Sequence, residues 1–321
     1  MAVLPMKKIE ICAMKRDRKA ILEKLQSLGM VEIQTNNEET DDFRKMSTTS
    51  QRAKYEKRVQ NTDEALQILD KYVPEEKSIF ASLEGRQEAS EADIQEIIAG
   101  RRDYNCKVKK IQGISKDIAG CEAGIVKCQV AIDGLVPWLN MDIPINTTGT
   151  EKTDVMIGTM PPGLTETDIH GYISSAEPEM AGYTVAVVGS DKDQTCMVAI
   201  ALKPVSQRVE EILRSHGFTR ISYFSRRTPE QKMEKYKEDI REFEQCIEDK
   251  TKELVSLADD RNKLRLLADY YRIRADKYQV LGGLLQSKST FVISGYVLER
   301  DADRVVAVLN ENFSLMADVY D

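Results

Sequence analysis

The hydrophobic pattern of "MKKIEICAMKRDRKAILEKLQSLGMVEIQ", residues 6–34, changes period twice. Residues 8–13 are short, half apolar and strand-like. Residues 15–28 place Ala20, Ile21, Leu25 and Leu28 at helical spacing, Gly29 stops the helix, and residues 30–34 read as a second strand. One βαβ unit of this size cannot bury enough apolar surface to fold alone. The same pattern returns at the other end of the chain. "STFVISGYVLER" (289–300) is a strand, "DADRVVAVLNEN" (301–312) a helix with Asp301 at its cap, and "FSLMADVYD" (313–321) another strand. The two halves complete each other. The expectation is one proximal lobe made from residues 1–45 plus 286–321.

Residues 145–227 carry a second lobe. "TDVMIGTM" is a strand, "PPG" a turn, and "LTETDIHGYISSA" (164–176) a helix with Thr165 as cap. "GYTVAVVG" and "TCMVAIAL" are strands joined by the hairpin connection "SDKDQ". "VSQRVEEILRSHG" (205–217) is a helix ended by glycine, and "FTRISYF" (218–224) is the last strand. The order βαβ-βαβ is the split arrangement called ferredoxin-like.

Between the lobes the period becomes seven. In the outgoing arm, 46–144, Tyr55, Val59, Leu66, Leu69 and Val73 mark a first helix that ends at Pro74 and a polar stretch. Ile111, Ile118, Ile125 and Ile132 then fill one seam position, with Ile114, Cys121, Cys128 and Leu135 in the other. The returning arm, 228–285, opens with Thr228 as cap and Pro229 as first helical residue. Its seam runs Met233, Ile240, Ile247, Leu254 on one side. On the other it runs Tyr236, Phe243, Lys250, Leu257, Leu264, Tyr271, Tyr278, Leu285. A strict seven-residue repeat keeps one stripe facing a partner helix, the condition for a coiled coil. Lys250 and Arg261 interrupt that stripe, as polar residues do where register must be fixed. Read as one helix of about 57 residues, the returning arm would reach roughly 85 Å. The outgoing helices are longer in sum, so a three-helix section is expected near the N-terminal end. The fold class is therefore α+β: two ferredoxin-like βαββαβ lobes joined by a long antiparallel coiled-coil arm, a dumbbell.

Composition agrees with long solvated helices: 31% of residues are charged, 6% are aromatic, and there is a single Trp. The net charge of −7, from 53 acids and 46 bases, argues against nucleic acid as the main partner. No apolar run approaches the ~18 residues of a membrane span, and the start lacks a signal peptide's apolar stretch. The chain is accordingly expected on the cytosolic side. Its six cysteines include no C-x-x-C pair, and only His170 and His216 could join them as soft ligands. Reduced thiols are expected, with Cys121 and Cys128 serving as seam residues. No phosphate loop, dinucleotide fingerprint or H-E-x-x-H is present, and Asp191 and Asp193 fit turn chemistry. No catalytic, cofactor-binding or metal-ligating residue is assigned, and an enzyme is not expected. One cluster invites a partner: Arg214, Arg220, Arg226 and Arg227, with Tyr223 and Phe224 between them. RNA stacking needs aromatics on central strands, which "DVMIGTM" and "CMVAIAL" lack. The cluster reads instead as a docking surface for an acidic helical protein.

Three stretches carry a resemblance. They are "MKKIEICAMKRDRKAILEKLQSLGMVEIQ", "LVPWLNMDIP" at the end of the outgoing arm, and "TFVISGYVLERDADRVVAVL" near the C-terminus. Together with the order of lobes and arms, they resemble the cytoplasmic half of subunit I of the rotary V-type (A/V-type) ATPases, the relative of eukaryotic subunit a. The family has Trp where this chain has Tyr296. It also continues into a multi-span membrane domain holding the ion path, none of which lies in these residues, so this chain is expected to be the soluble half of a longer protein. The resemblance implies a non-catalytic stator that binds the peripheral-stalk subunits E and G through both lobes. It implies a proximal lobe near the central-stalk cap and rotor ring, no cofactor, and attachment to the membrane only through the missing C-terminal domain. A free-standing coiled-coil scaffold, or a nucleic-acid tether with globular ends, is the alternative.

Overall fold

The computed structural model describes residues 4–35, 38–75, 89–221 and 225–320. In chain order the elements are β1 (Met6–Met14), α1 (Arg18–Leu28), β2 (Val31–Gln34), β3 (Arg44–Lys45), α2 (Thr49–Tyr72) and α3 (Glu91–Leu135). A 3-10 turn, Val136–Trp138, leads to β4 (Thr153–Met160), α4 (Glu166–Ala176), β5 (Tyr183–Ser190), β6 (Thr195–Leu202), α5 (Lys203–Ser215) and β7 (Thr219–Arg220). The chain then forms α6 (Pro229–Ala258), α7 (Arg261–Gly283), β8 (Leu285–Gln286), β9 (Thr290–Leu298), α8 (Ala302–Asn312) and β10 (Leu315–Tyr320). The class is mixed α+β with two antiparallel sheets. Two compact units are present: Met1–Gly113 with Leu254–Asp321, and Ile114–Glu253. The division runs through α3 and α6.

In the first unit β1 lies between β10 and β9, so residues from both ends of the chain share one sheet. The other edge of β9 holds β2 and, further along, β8, which pairs with β3. Alternation on β1 sends Ile9, Ile11 and Ala13 into the core, where Phe291, Ile293 and Val297 of β9 meet them. Ile21, Leu22 and Leu25 of α1 and Val305 and Leu309 of α8 close that side. Each such side chain contributes roughly 1.5–3 kcal/mol. Gly295 lets β2 come close: a Cβ there would stand 2.4 Å from the Glu32 carbonyl oxygen.

Three helices pack together in this unit. α2 lies along α7, with Tyr55 stacked on Tyr278 at 5.5 Å between centroids. The first half of α3 joins them: Gln112 donates to Glu64 at 2.6 Å and Asn105 to the Tyr271 hydroxyl at 2.7 Å. The returning arm, however, is two helices and not the single long one its heptads predict. α6 ends at Ala258, and α7 restarts from the Asp260 carbonyl, which accepts from Leu264 N at 2.9 Å. Arg261 supplies the physical reason. Its side chain is only 5% exposed, and its guanidinium donates to the carbonyls of Leu69 (3.1 Å) and Val73 at the end of α2. The last carbonyls of a helix have no intrahelical donor. Val73 N already serves the Leu69 carbonyl, and the buried arginine adds a second donor there and serves the Val73 carbonyl beyond it.

The second unit holds a four-stranded sheet in the order β5-β6-β4-β7, antiparallel throughout. One face packs on α4 and α5 through Met156, Met160, Met197, Ile169, Ile173, Val209 and Leu213. α4 starts with a capping box: Thr165 Oγ1 accepts from Asp168 N, and the Asp168 carboxylate accepts from Thr165 N at 2.9 Å. The other face, with Val155, Ile157, Val188, Cys196 and Val198, lies beneath Leu135, Trp138, Met141 and Ile145. Gly189 permits that cover, since a Cβ would stand 2.2 Å from the Pro137 carbonyl oxygen. The expected last strand, 218–224, is seen at Thr219–Arg220; residues 222–224 lie outside the described residues.

Candidate functional site

The basic cluster of the second unit is built from the end of α5 and the strand after it. Arg214 and Arg220 converge on one carboxylate. Arg214 Nη2 donates to Glu210 at 2.7 Å, and Arg220 reaches the same group in bidentate fashion through Nε at 2.8 Å and Nη2 at 2.7 Å. The paired guanidinium of Arg220, and then that of Arg214, hold the Glu210 carboxyl below its usual range against the opposing effect of burial. Two of the four arginines are thereby partly neutralised. Arg226 and Arg227 are exposed and make no ion pair among the described residues. Ser225 orders their turn: its Oγ accepts from Arg227 N at 3.2 Å, and its carbonyl accepts from Asn146 N at 3.2 Å. Tyr223 and Phe224 lie outside the described residues.

The residues expected in the seam divide by burial. On α3, Ile111 and Ile118 are fully buried, while Ile125 and Ile132 are half-buried. On α6, Ile240 and Phe243 are half-buried and Leu257 is buried; Leu264 of α7 is buried. Lys250, an interruption in the stripe, pairs with Asp117 at 3.2 Å, which raises the lysine's pKa. Neither histidine sits in a chemical cluster. His216 stacks on Tyr172 at 4.2 Å, and His170 lies against Tyr183. Burial pushes the Cys196 thiol up to about 11, which leaves it inert at neutral pH. Among the described residues no group of three or more His, Cys, Asp or Glu could hold a metal ion. No described helix is long and apolar enough to cross a membrane.

One surface was not assigned from the sequence. On the first unit's sheet, the face turned away from α1 and α8 is partly exposed among the described residues, at Tyr296, Met316 and Tyr320, while Ser294 at its centre is buried. There Lys8 of β1 is flanked in register by Tyr296 and Tyr320, with its ammonium 6.0 Å from the Tyr320 ring centroid. Lys8 also pairs with Glu10 at 2.7 Å, and Gln34 Nε2 donates to the Tyr296 hydroxyl at 3.3 Å. Met316 is 63% exposed on the same face. Alternation alone places Lys8, Glu10 and Cys12 opposite Ile9 and Ile11. It carries no information on whether another segment covers them.

No family model matches this chain, and no curated protein matches it. Among solved structures, it is similar to the cytoplasmic N-terminal domain of subunit I, homolog of subunit a, of V-ATPase. The likeness covers 98% of this chain and 100% of that one, at 12% identity and a TM-score of 0.47.

Proposed function

We propose that this chain is a non-catalytic component of a rotary V-type ATPase: the cytoplasmic half of a subunit I that works as a stator. On this reading the two sheet-bearing units are βαββαβ lobes of ferredoxin-like order, and the helices α3, α6 and α7 form the arm that links them. The observation that carries the proposal is the pairing of β1 with both β9 and β10. It requires the chain to leave a sheet, run through long helices and another sheet, and return. Together with the three stretches that resemble the family, this supports a link bound at more than one point. Helices suit that role, because their backbone hydrogen bonds run along the axis and resist extension. The partners proposed are the peripheral-stalk subunits E and G, with the exposed Arg226 and Arg227 as one contact for an acidic helix. The central-stalk cap and rotor ring are proposed neighbours of the first unit, and membrane attachment would come from a further domain.

Titrating the full chain with the heterodimer of subunits E and G tests this. Weak, saturable binding is expected, reduced several-fold by Arg226→Glu with Arg227→Glu. No binding of the full chain removes the stalk assignment. Salt-sensitive binding to RNA instead would replace it with the nucleic-acid tether.

A further inference from the structure

Within the second unit α3 and α6 run antiparallel, and two contacts fix their register. Asp117 pairs with Lys250, the Phe243 ring lies over Gly124, and Cys121 and Cys246 occupy the matching positions between these two contacts. Each step of four or three residues along α3 is matched by an equal step back along α6. The two cysteines therefore stand opposite each other between a salt bridge and a glycine contact. The glycine also brings the helices close on this side, since a Cβ at Gly124 would stand 2.7 Å from the Phe243 ring. Both thiols are half-buried, which leaves them within reach of a small reagent. The remaining four cysteines differ: Cys128 and Cys196 are buried, Cys106 is exposed, and Cys12 belongs to the first unit's sheet.

We propose that Cys121 and Cys246 are a reversible redox site, closed to a disulfide by exchange with a small-molecule disulfide of the glutathione type. The thiolate of one cysteine attacks a sulfur of the reagent; the reagent's S–S bond breaks, and one small thiolate leaves. The other cysteine's thiolate then attacks the protein-bound sulfur and displaces the second. Two protein thiols are oxidised to one disulfide, and one reagent disulfide is reduced to two thiols, which take up the two protons. Closure fixes the register of α3 on α6 and removes axial slip between them, which the exposed Asp117–Lys250 pair opposes only weakly. The neighbouring Cys246 and burial raise the Cys121 thiol, so little of it is thiolate at neutral pH and exchange through it quickens as pH rises. This site stands whether or not the stator reading holds.

The experiment treats the native full chain with glutathione disulfide, blocks residual thiols with iodoacetamide, and maps peptides by mass spectrometry. The expected product is lighter by two hydrogens, carries a cross-link between the peptides of Cys121 and Cys246, and reverts with dithiothreitol. Its rate of formation should rise severalfold from pH 7 to pH 8. Cys121→Ser and Cys246→Ser should each abolish the cross-link and leave a glutathione adduct on the remaining partner. Stable adducts on both cysteines of the unaltered chain, preferential cross-links to another cysteine, or modification confined to exposed Cys106 would each overturn the site.

Discussion

The two sheets follow one strand order and treat their second faces in opposite ways. The first runs β2-β9-β1-β10 and the second β5-β6-β4-β7, each with two helices on one side. In the second unit the far side is closed by chain that follows α3 directly, with Trp138 only 2% exposed. In the first unit the far side displays Lys8 between two tyrosines and Met316 in the open. Among the described residues, the same backbone order therefore serves a sheet covered on both faces and a sheet covered on one and partly exposed on the other. The side chains differ accordingly. Val155, Ile157 and Val198 occupy the covered face, where the partly exposed face has Lys8, Glu10 and Tyr296. What a lobe offers to a partner is set by this second face and not by the topology.

The largest test of that contrast is Trp138→Ala against Tyr296→Ala. The first leaves a cavity beneath the cover and should cost about 3–5 kcal/mol in denaturant unfolding, with faster hydrogen exchange in β4 and β6. The second removes a partly exposed strand side chain and its bond with Gln34 and should cost about 1 kcal/mol. Equal costs would mean that the first unit's face is also packed, and the comparison would collapse.

Arg261→Met comes next in size. It removes the donor to the Val73 carbonyl and one of the two donors to the Leu69 carbonyl, which keeps Val73 N, and should destabilise the first unit by about 2–3 kcal/mol. Hydrogen exchange should quicken at the end of α2 while the second unit's sheet keeps its protection. Uniform loss in both units would show that Arg261 acts on something other than α2.

The smallest effect is a dependence on pH. The Glu210 carboxyl is held below its ordinary range, so the stability it contributes is fully present above the unfolded carboxylate value. That stability is lost as pH falls through the lower folded value. Glu210→Gln should therefore flatten the acid limb of the second unit's melting profile and leave the first unit's unchanged. An unaltered acid limb would mean that the pair with Arg220 and Arg214 adds nothing to folding.

Much of this organisation could be read from residue pattern because each element announces itself locally. Ile9 and Ile11 alternate along β1, Leu25 and Leu28 fall at helical spacing before Gly29, and the isoleucines of α3 repeat every seven residues. The cap at Thr165 was legible for the same reason, since its partner Asp168 lies three residues away. The break between α6 and α7 was not. Arg261 looked like a polar interruption of one continuous stripe, and its partners, the carbonyls of Leu69 and Val73, lie far away in sequence. The basic cluster shows the same limit. Four arginines close in sequence read as one patch, yet Glu210 takes two of them, and Arg226 and Arg227 remain exposed.

The sequence by itself determined the order of the longer strands and helices and the apolar side of each, because these depend on backbone periodicities of two and 3.6 residues. Only the tertiary structure decided which charges are spent internally, where the returning helix breaks, and which sheet face is covered. Those outcomes depend on groups far apart along the chain, whose burial is fixed by what packs over them. Local spacing carries no record of that.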